Sequence, residues 1–244
     1  MDRVDVGGLT VAYERVGEGP PLVLVHGGLV DHREWTPQLE GLSDAFTVVA
    51  WDAPGCGASS DPPESFRMPE YADCLAGFVD AVGLDRPHVL GLSWGSTLAL
   101  ELYRRSPRIP RTLVLTGGYA GWAGSLAPEE VAERLERFMV QFEQPPIDWV
   151  ADYIPTLLTD RASKEMAEEL VALMAESRPA GMRAMILAMA EADLRDVLPK
   201  IDVPTLLLYG EEDVRSPRSV AGVGHQSNIE APVRFNAEER SAAL

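Results

Sequence analysis

The stretch Gly91-Leu92-Ser93-Trp94-Gly95 constrains this chain more than any other segment, because its glycine-flanked serine lies between two elements of different type. The apolar residues 89–90 before it predict a buried strand, and residues 97–103 after it have the apolar spacing of a helix. A tight strand-to-helix turn holds such a serine in a strained conformation and exposes its hydroxyl. The pattern therefore predicts a nucleophile elbow, with Ser93 as the nucleophile.

The elements around this turn predict an α/β fold with a doubly wound, mostly parallel sheet. An N-terminal alternation of apolar residues around Gly7-Gly8 predicts a hairpin. Strands covered on both faces are indicated by short apolar runs at residues 22–25, 46–51, 89–90, 113–115 and 205–209. Helical patterns separate most of these runs, as parallel crossovers require. A chain of 244 residues is long enough for one such core with a modest insertion.

Residues 120–200 interrupt this alternation with consecutive helical patterns and no convincing strand. Pro128 suits the first turn of one helix, and Ser163 suits the N-cap of another. The sequence therefore predicts a core of residues 1–119 and 201–244 with a helical cap of residues 120–200. Six methionines of the cap either line an adaptable apolar pocket or pack the cap against the core: Met139, Met166, Met174, Met182, Met185 and Met189.

Composition excludes several classes of function. The net charge of −17 opposes binding to nucleic acid or to acidic membrane surfaces. Apolar runs are too short to cross a bilayer, and the charged N-terminus lacks the pattern of a secretory signal, so a cytoplasmic protein is expected. Cys56 and Cys74 provide neither a disulfide framework nor a zinc site. The glycines of residues 52–57 are not followed by a helix, which argues against a dinucleotide cofactor.

A second motif, His26-Gly27-Gly28, directly follows the strand predicted at residues 22–25. A loop at this position can aim backbone N–H groups at a substrate oxygen, so the amides of Gly28 and Trp94 are predicted to form an oxyanion hole. His26 itself is predicted to brace the loop by hydrogen bonds, and His32 and His88 are predicted to be structural.

On these motifs the chain resembles the α/β-hydrolase family, from the first hairpin to His225 and beyond. The resemblance implies the chain order nucleophile, acid, histidine. Gly210-Glu211-Glu212-Asp213 resembles the acid turn of the family, and Gly222-Val223-Gly224-His225 resembles its histidine loop. A Ser93–His225–Asp213 triad would then hydrolyse a small ester, lactone or related acyl substrate with no metal or organic cofactor.

The chain departs from the family between the acid and the histidine. Only 11 residues separate Asp213 from His225, where the family has a helix and a final strand, so both are expected to be missing or shortened. An extended segment of this length can still reach the site, but His225 would lose support. The bare sheet edge would favour a homodimer through strand pairing. A natural short variant, a deletion and an omitted stretch all give this spacing.

Three functional hypotheses remain open at this point. The general pattern resembles small capped esterases and enol-lactone hydrolases. Residues 93–100 are also similar to proline iminopeptidases, in which case Glu143 or Glu191 would hold a substrate amine. A noncatalytic ligand-binding protein on the same fold is the third hypothesis, and covalent labelling of Ser93 distinguishes it from an enzyme.

Overall fold

The computed structural model describes residues 1–215 and 225–243. Within these residues seven strands form one sheet in the order β1-β2-β4-β3-β5-β6-β7. The strands are β1 (Asp2–Val6), β2 (Leu9–Val16), β3 (Pro21–Val25), β4 (Thr47–Trp51), β5 (His88–Leu92), β6 (Thr112–Thr116) and β7 (Thr205–Leu208). The hairpin β1–β2 pairs antiparallel, β2 joins β4 antiparallel, and all other neighbours are parallel. The predicted doubly wound, mostly parallel sheet is confirmed.

Helices cover both faces of the sheet. The α-helices of the described residues are α1 (Thr36–Leu42), α2 (Met68–Ala81), α3 (Trp94–Arg105), α4 (Trp122–Ser125), α5 (Pro128–Gln141), α6 (Ile154–Leu157), α7 (Lys164–Ala175), α8 (Pro179–Glu191), α9 (Ser227–Glu230) and α10 (Pro232–Ala243). Short 3-10 helices span His32–Trp35, Pro146–Asp148, Val150–Tyr153 and Leu198–Lys200. No described helix is long and apolar enough to cross a membrane.

The strand pattern explains the two cores. Along β3, Val23 and Val25 pack with α2 and α3 on one face, whereas Leu22 and Leu24 pack with α1 and α10 on the other. Side chains alternate between the faces of a strand, so a continuous apolar run serves both cores at once. β3, which lies in the middle of the sheet, is therefore fixed from both sides.

Within the described residues the sheet has two edge strands, the hairpin strand β1 and the parallel strand β7. Leu207 on β7 is 53% exposed, in contrast to the fully covered residues of β5 and β6. The first three residues of the predicted histidine loop, Gly222-Val223-Gly224, lie outside the described residues, as do all of residues 216–224. Asp213 and His225 stand on either side of that gap and are both described.

The segment between β6 and β7 is helical over most of its length. Pro128 is the first residue of α5, and the Ser163 hydroxyl accepts the N–H of Met166 at the start of α7, as predicted for both residues. α8 lies against the core, where Gly55 and Gly181 approach so closely that a Cβ on either would overlap the backbone of the other. The division into a core and a cap of residues 120–200 stays a prediction.

Candidate active site

Ser93 occupies the sharp turn between β5 and α3. Its backbone has φ +53° and ψ −111°, a strained conformation for a residue with a side chain. Its N–H donates to the carbonyl of Thr116 on β6 at 2.8 Å. A Cβ at Gly91 would overlap the carbonyl of Gly95, and a Cβ at Gly95 would overlap the carbonyl oxygen of Val25 on β3. Neighbouring strands therefore fix the turn, and the two glycines make this close packing sterically feasible.

Gly28 and Trp94 face each other across the mouth of this turn. A Cβ built on Gly28 would lie 3.9 Å from the Cβ of Trp94. Trp94 is the first residue of α3, where the N–H groups have no partner within the helix and the dipole favours negative charge. Neither amide N–H donates to an acceptor in the part of the chain that the structure describes. Two free donors beside a serine hydroxyl suit a developing oxyanion.

His26 braces the loop that carries Gly28. Its Nε2 accepts the N–H of Ala53 at 3.0 Å, and its Nδ1 lies 2.7 Å from the carbonyl oxygen of Gly27. The ring is fully buried, and burial lowers its pKa. Both ring nitrogens are therefore used in holding the loop to the end of β4.

The end of β4 is itself held by a buried carboxylate. Asp52 Oδ1 accepts the backbone N–H of His32 at 2.9 Å and lies 2.7 Å from its Nδ1, and Oδ2 accepts the N–H of Ala58 at 2.8 Å. His88, at the start of β5, is buried with its Nδ1 2.8 Å from the hydroxyl of Thr112. These contacts give His32 and His88 structural partners away from Ser93.

Asp213 and His225 form a buried pair. His225 Nδ1 lies 2.9 Å from Asp213 Oδ2, and the two side chains are 2% and 0% exposed. The other oxygen, Asp213 Oδ1, accepts the backbone N–H of Arg215 at 2.7 Å. A ring that donates from Nδ1 to a carboxylate keeps an acceptor lone pair on Nε2 when it is neutral. Nε2 of His225 is buried and has no hydrogen-bond partner among the described residues.

The electrostatics keep this histidine neutral. Burial is the main cause that lowers the pKa of His225, and the positive charge of Arg215 lowers it further, while the hydrogen bond to Asp213 acts in the opposite direction. A neutral imidazole with a free Nε2 lone pair is the form that accepts a proton from a hydroxyl group.

One cavity joins these groups. Its wall contains Ser93, Trp94, Gly28 and His225. The volume of the cavity, including the part that is open to solvent, is about 690 Å³. Most of its wall is apolar: Leu29, Val30, Leu92, Trp122, Phe138, Leu157, Met174, Met185, Ile186 and Met189. Three of the six cap methionines therefore line the cavity, whereas Met139, Met166 and Met182 lie elsewhere. The structure thus brings Ser93, Trp94, Gly28 and His225 to one cavity, and Asp213 contacts His225 from behind its wall.

Sequence analysis missed a residue that links two sides of this cavity. Glu34 is 1% exposed, and its Oε2 accepts the N–H of Gly27 at 2.8 Å. Its Oε1 accepts the side-chain amide of Gln226, the neighbour of His225, also at 2.8 Å. Burial raises the pKa of Glu34 to about 7. A single carboxyl group therefore ties the glycine loop to the histidine segment.

Further polar contacts anchor the segment that follows His225. Asn228 donates to the backbone carbonyl of Glu34 at 3.1 Å, and Gln38 donates to the carbonyl of Asn228 at 2.9 Å. Gln38 also donates to Asn236 on α10 at 3.1 Å. The sequence predicts a poorly supported His225, and the final strand and helix at issue fall in residues 216–224, outside the described residues. On the described side of His225, this buried polar cluster with residues 34–38 supports the segment.

Comparisons with known proteins agree with this fold. A family model described as alpha/beta hydrolase fold matches residues 20–227. The chain is similar to the structure of a thermophilic esterase from Thermogutta terrifontis, with 29% identity, a TM-score of 0.91 and coverage of 99% of this chain and 97% of that one. It is 28% identical over 212 residues to an (E)-2-((N-methylformamido)methylene)succinate hydrolase from Acinetobacter baylyi, covering 85% and 78%.

A third similarity covers only part of each protein. The chain is 39% identical over 105 residues to the dihydrolipoyllysine-residue acetyltransferase component of the acetoin cleaving system from Cupriavidus necator. That match spans 43% of this chain and 28% of the acetyltransferase component. It therefore supports a shared segment and not a shared activity.

Proposed function

Because the chain belongs to the alpha/beta hydrolase fold family, we propose that this α/β-fold hydrolase acts on a small ester, lactone or related acyl substrate through Ser93, His225 and Asp213. The observation that carries the proposal is the buried Asp213–His225 pair, whose Nε2 atom has no partner among the described residues and whose ring lines the same cavity as Ser93. Similarity to an esterase over almost the whole chain supports the same substrate class.

The first half of the reaction forms an acyl-enzyme. His225 Nε2 takes the proton of the Ser93 hydroxyl while Oγ attacks the carbonyl carbon, and Asp213 stabilises the resulting imidazolium. The carbonyl electron pair moves to oxygen, where the N–H groups of Gly28 and Trp94 hold the negative charge. The oxyanion then re-forms the carbonyl, the bond to the leaving oxygen breaks, and His225 gives its proton to that oxygen.

The second half reverses these roles with water. His225 takes a proton from water as the water oxygen attacks the acyl carbon, and the same two amides hold the second oxyanion. Collapse of this intermediate breaks the bond to Ser93 Oγ, which recovers its proton from His225. The carboxylic acid is released and the site returns to its starting state.

The hypothesis of a proline-iminopeptidase-like activity receives no support from the cavity. Glu143 and Glu191 are both exposed, and Glu191 forms an ion pair with Arg67 at 3.0 Å. Neither side chain lines the cavity that contains Ser93. A substrate ammonium group would therefore lack the carboxylate that this hypothesis assigned to it.

A fluorophosphonate probe tests the proposal directly. We expect intact mass to show one label on the wild type and on Ser65→Ala, an exposed serine that serves as control, and no label on Ser93→Ala. Turnover of 4-nitrophenyl acetate should follow the same pattern, and His225→Gln should lose it as well. A folded wild type that neither labels nor turns over would contradict the proposal and favour a noncatalytic ligand-binding protein.

We also propose a homodimer that forms through the same sheet. Because β7 is an edge strand within the described residues, pairing of two such edges would give a homodimer. Sedimentation equilibrium over a wide concentration range tests this: a single monomer mass throughout would contradict pairing.

A further inference from the structure

The described arginine in the wall of the cavity has a charge opposite in sign to the net charge of the chain. The sequence has 38 Asp and Glu residues against 21 Lys and Arg. Yet no described carboxylate lines the cavity that contains Ser93, and Arg215 is the one described arginine or lysine in its wall. An adjoining cavity shares Tyr119 and Arg215 with the first and also contains Arg134, again with no described carboxylate in its wall. An acidic protein therefore presents positive charge where the proposed reaction takes place.

Arg215 uses little of its hydrogen-bonding capacity among the described residues. Its guanidinium donates from Nη1 to the hydroxyl of Thr156 at 3.2 Å, while its backbone N–H holds Asp213. A guanidinium has five N–H donors in a planar fork that matches the two oxygens of a carboxylate. The guanidinium of Arg215 forms no ion pair with any described carboxylate. Residues 216–224, which follow it directly, contain no Asp or Glu.

Arg134 differs from Arg215 in this respect. It pairs with Glu130 one helical turn away at 2.7 Å and lies 5.9 Å from the ring centroid of Trp122. Its charge is partly compensated within the protein, so it can attract an anion toward the mouth without being the main binding group. Among the described residues, Arg215 is the arginine that lines the cavity of Ser93 and His225 and has no carboxylate partner.

We propose that Arg215 binds a carboxylate group of the substrate, so that the enzyme prefers esters or lactones that carry a free carboxylate. This inference rests on the proposed function of Ser93 and deepens it by one step, the charge of the substrate. The wall of the cavity is mostly apolar, which strengthens an ion pair formed inside it, and a bidentate contact would also orient the substrate. Arg215 would then determine specificity without taking part in proton transfer.

Matched substrates that differ only in this charge test the proposal. One pair places the charge on the acyl half, with monomethyl adipate against its terminal amide; the other places it on the leaving group, with 4-acetoxybenzoate against 4-acetoxybenzamide. We expect kcat/KM of the wild type to favour the carboxylate about 10- to 100-fold in at least one pair, the range of a charged hydrogen bond. Arg215→Gln should bring this ratio toward one, and Arg215→Lys should retain part of it.

Arg161→Gln provides the control, because Arg161 is exposed, pairs with Glu212 and lies outside both cavities. The control should keep the full wild-type ratio. Rising NaCl should reduce the ratio in the wild type, which gives a test that does not depend on the folding of any variant. If neither substrate pair is turned over, the rate at which the fluorophosphonate labels Ser93 is measured with adipate and with adipamide present. Stronger protection by adipate than by adipamide then shows the same preference for the carboxylate.

The outcomes separate this inference from the function on which it rests. If Ser93 is labelled but the charged and neutral members of each pair give equal kcat/KM or equal protection, carboxylate binding is overturned. The hydrolase proposal then still stands. A preference that survives Arg215→Gln also overturns it. Absence of labelling in a folded wild type overturns the proposed function and this inference with it.

Discussion

The site has two sides that differ in where they lie on the sheet. Strands in the middle of the sheet lead into Gly28, Ser93 and Trp94. In contrast, Asp213 follows the edge strand β7, and His225 comes after residues 216–224. We call the first group the serine side of the site and the pair Asp213–His225 the histidine side. The serine side is held by strand neighbours and by close backbone packing of glycines. The histidine side is held by buried side-chain hydrogen bonds, above all those of Glu34.

This difference shows two ways of holding catalytic groups in place. A sheet fixes a turn through many backbone contacts at once, so no single side chain determines its position. A polar cluster depends on a few groups, and each one that is removed leaves a buried donor or acceptor without a partner. We therefore expect substitutions on the serine side to separate activity from stability, and substitutions around Glu34 to affect both together.

The largest effect is expected for Ser93→Gly. Removing the nucleophile should lower kcat by at least about 10⁴-fold. Glycine tolerates φ near +53° far better than serine, so the same change should raise the free energy of unfolding by about 1 kcal/mol. Urea unfolding and 4-nitrophenyl acetate turnover measure the two effects. A variant that is inactive but less stable than the wild type would show that the sheet does not impose the conformation of Ser93.

Glu34→Ala should give the next largest effect, this time in both quantities. It leaves the Gly27 N–H and the Gln226 amide unpaired, so we expect a loss of roughly 2–4 kcal/mol in unfolding free energy. Displacement of the neighbouring His225 should lower kcat by about 100-fold, since small errors of position are costly in catalysis.

Two further variants identify the cause. Glu34→Gln keeps an acceptor for Gly27 and can bond Gln226 after rotation of its amide, so it should restore most of kcat. Glu40→Ala, an exposed residue on α1, should match the wild type in both measurements. If Glu34→Ala raises KM and leaves kcat unchanged, Glu34 does not position His225.

The same contrast explains what could be predicted from the sequence. The doubly wound sheet, the elbow at Ser93 and the loop at Gly28 depend on local patterns, and the strands formed within a residue or two of the expected places. The positions of Asp213 and His225 were expected from the family resemblance and not from any property of their own segments. The structure places these two residues in contact, while their catalytic role is still a proposal.

Glu34 and Arg215 were beyond the reach of local patterns. The bond between Glu34 and Gln226 joins residues 192 apart in the chain, and a glutamate on a short 3-10 helix resembles a surface residue when seen in sequence. Arg215 has significance only because the described residues of the cavity walls around it include no acidic side chain, which is a property of several distant segments together. Both residues became recognisable once the fold had brought their partners together.

The smallest effect is expected in the pH dependence of stability, which tests the protonation state of Glu34 in the folded chain. Its pKa is raised from 4.5 to about 7, so between these values the folded chain holds a proton that the unfolded chain has lost. The stability due to this group is therefore fully present below about pH 4.5 and is lost as pH rises through about 7.

The variant Glu34→Gln isolates this effect, because glutamine does not titrate. The unfolding free energy of the wild type minus that of Glu34→Gln should fall by about 2.5 kcal/mol between about pH 5 and about pH 8.5. Urea unfolding at both pH values measures it. A difference that rises with pH would mean that the Gly27 and Gln226 bonds outweigh burial and keep Glu34 ionised.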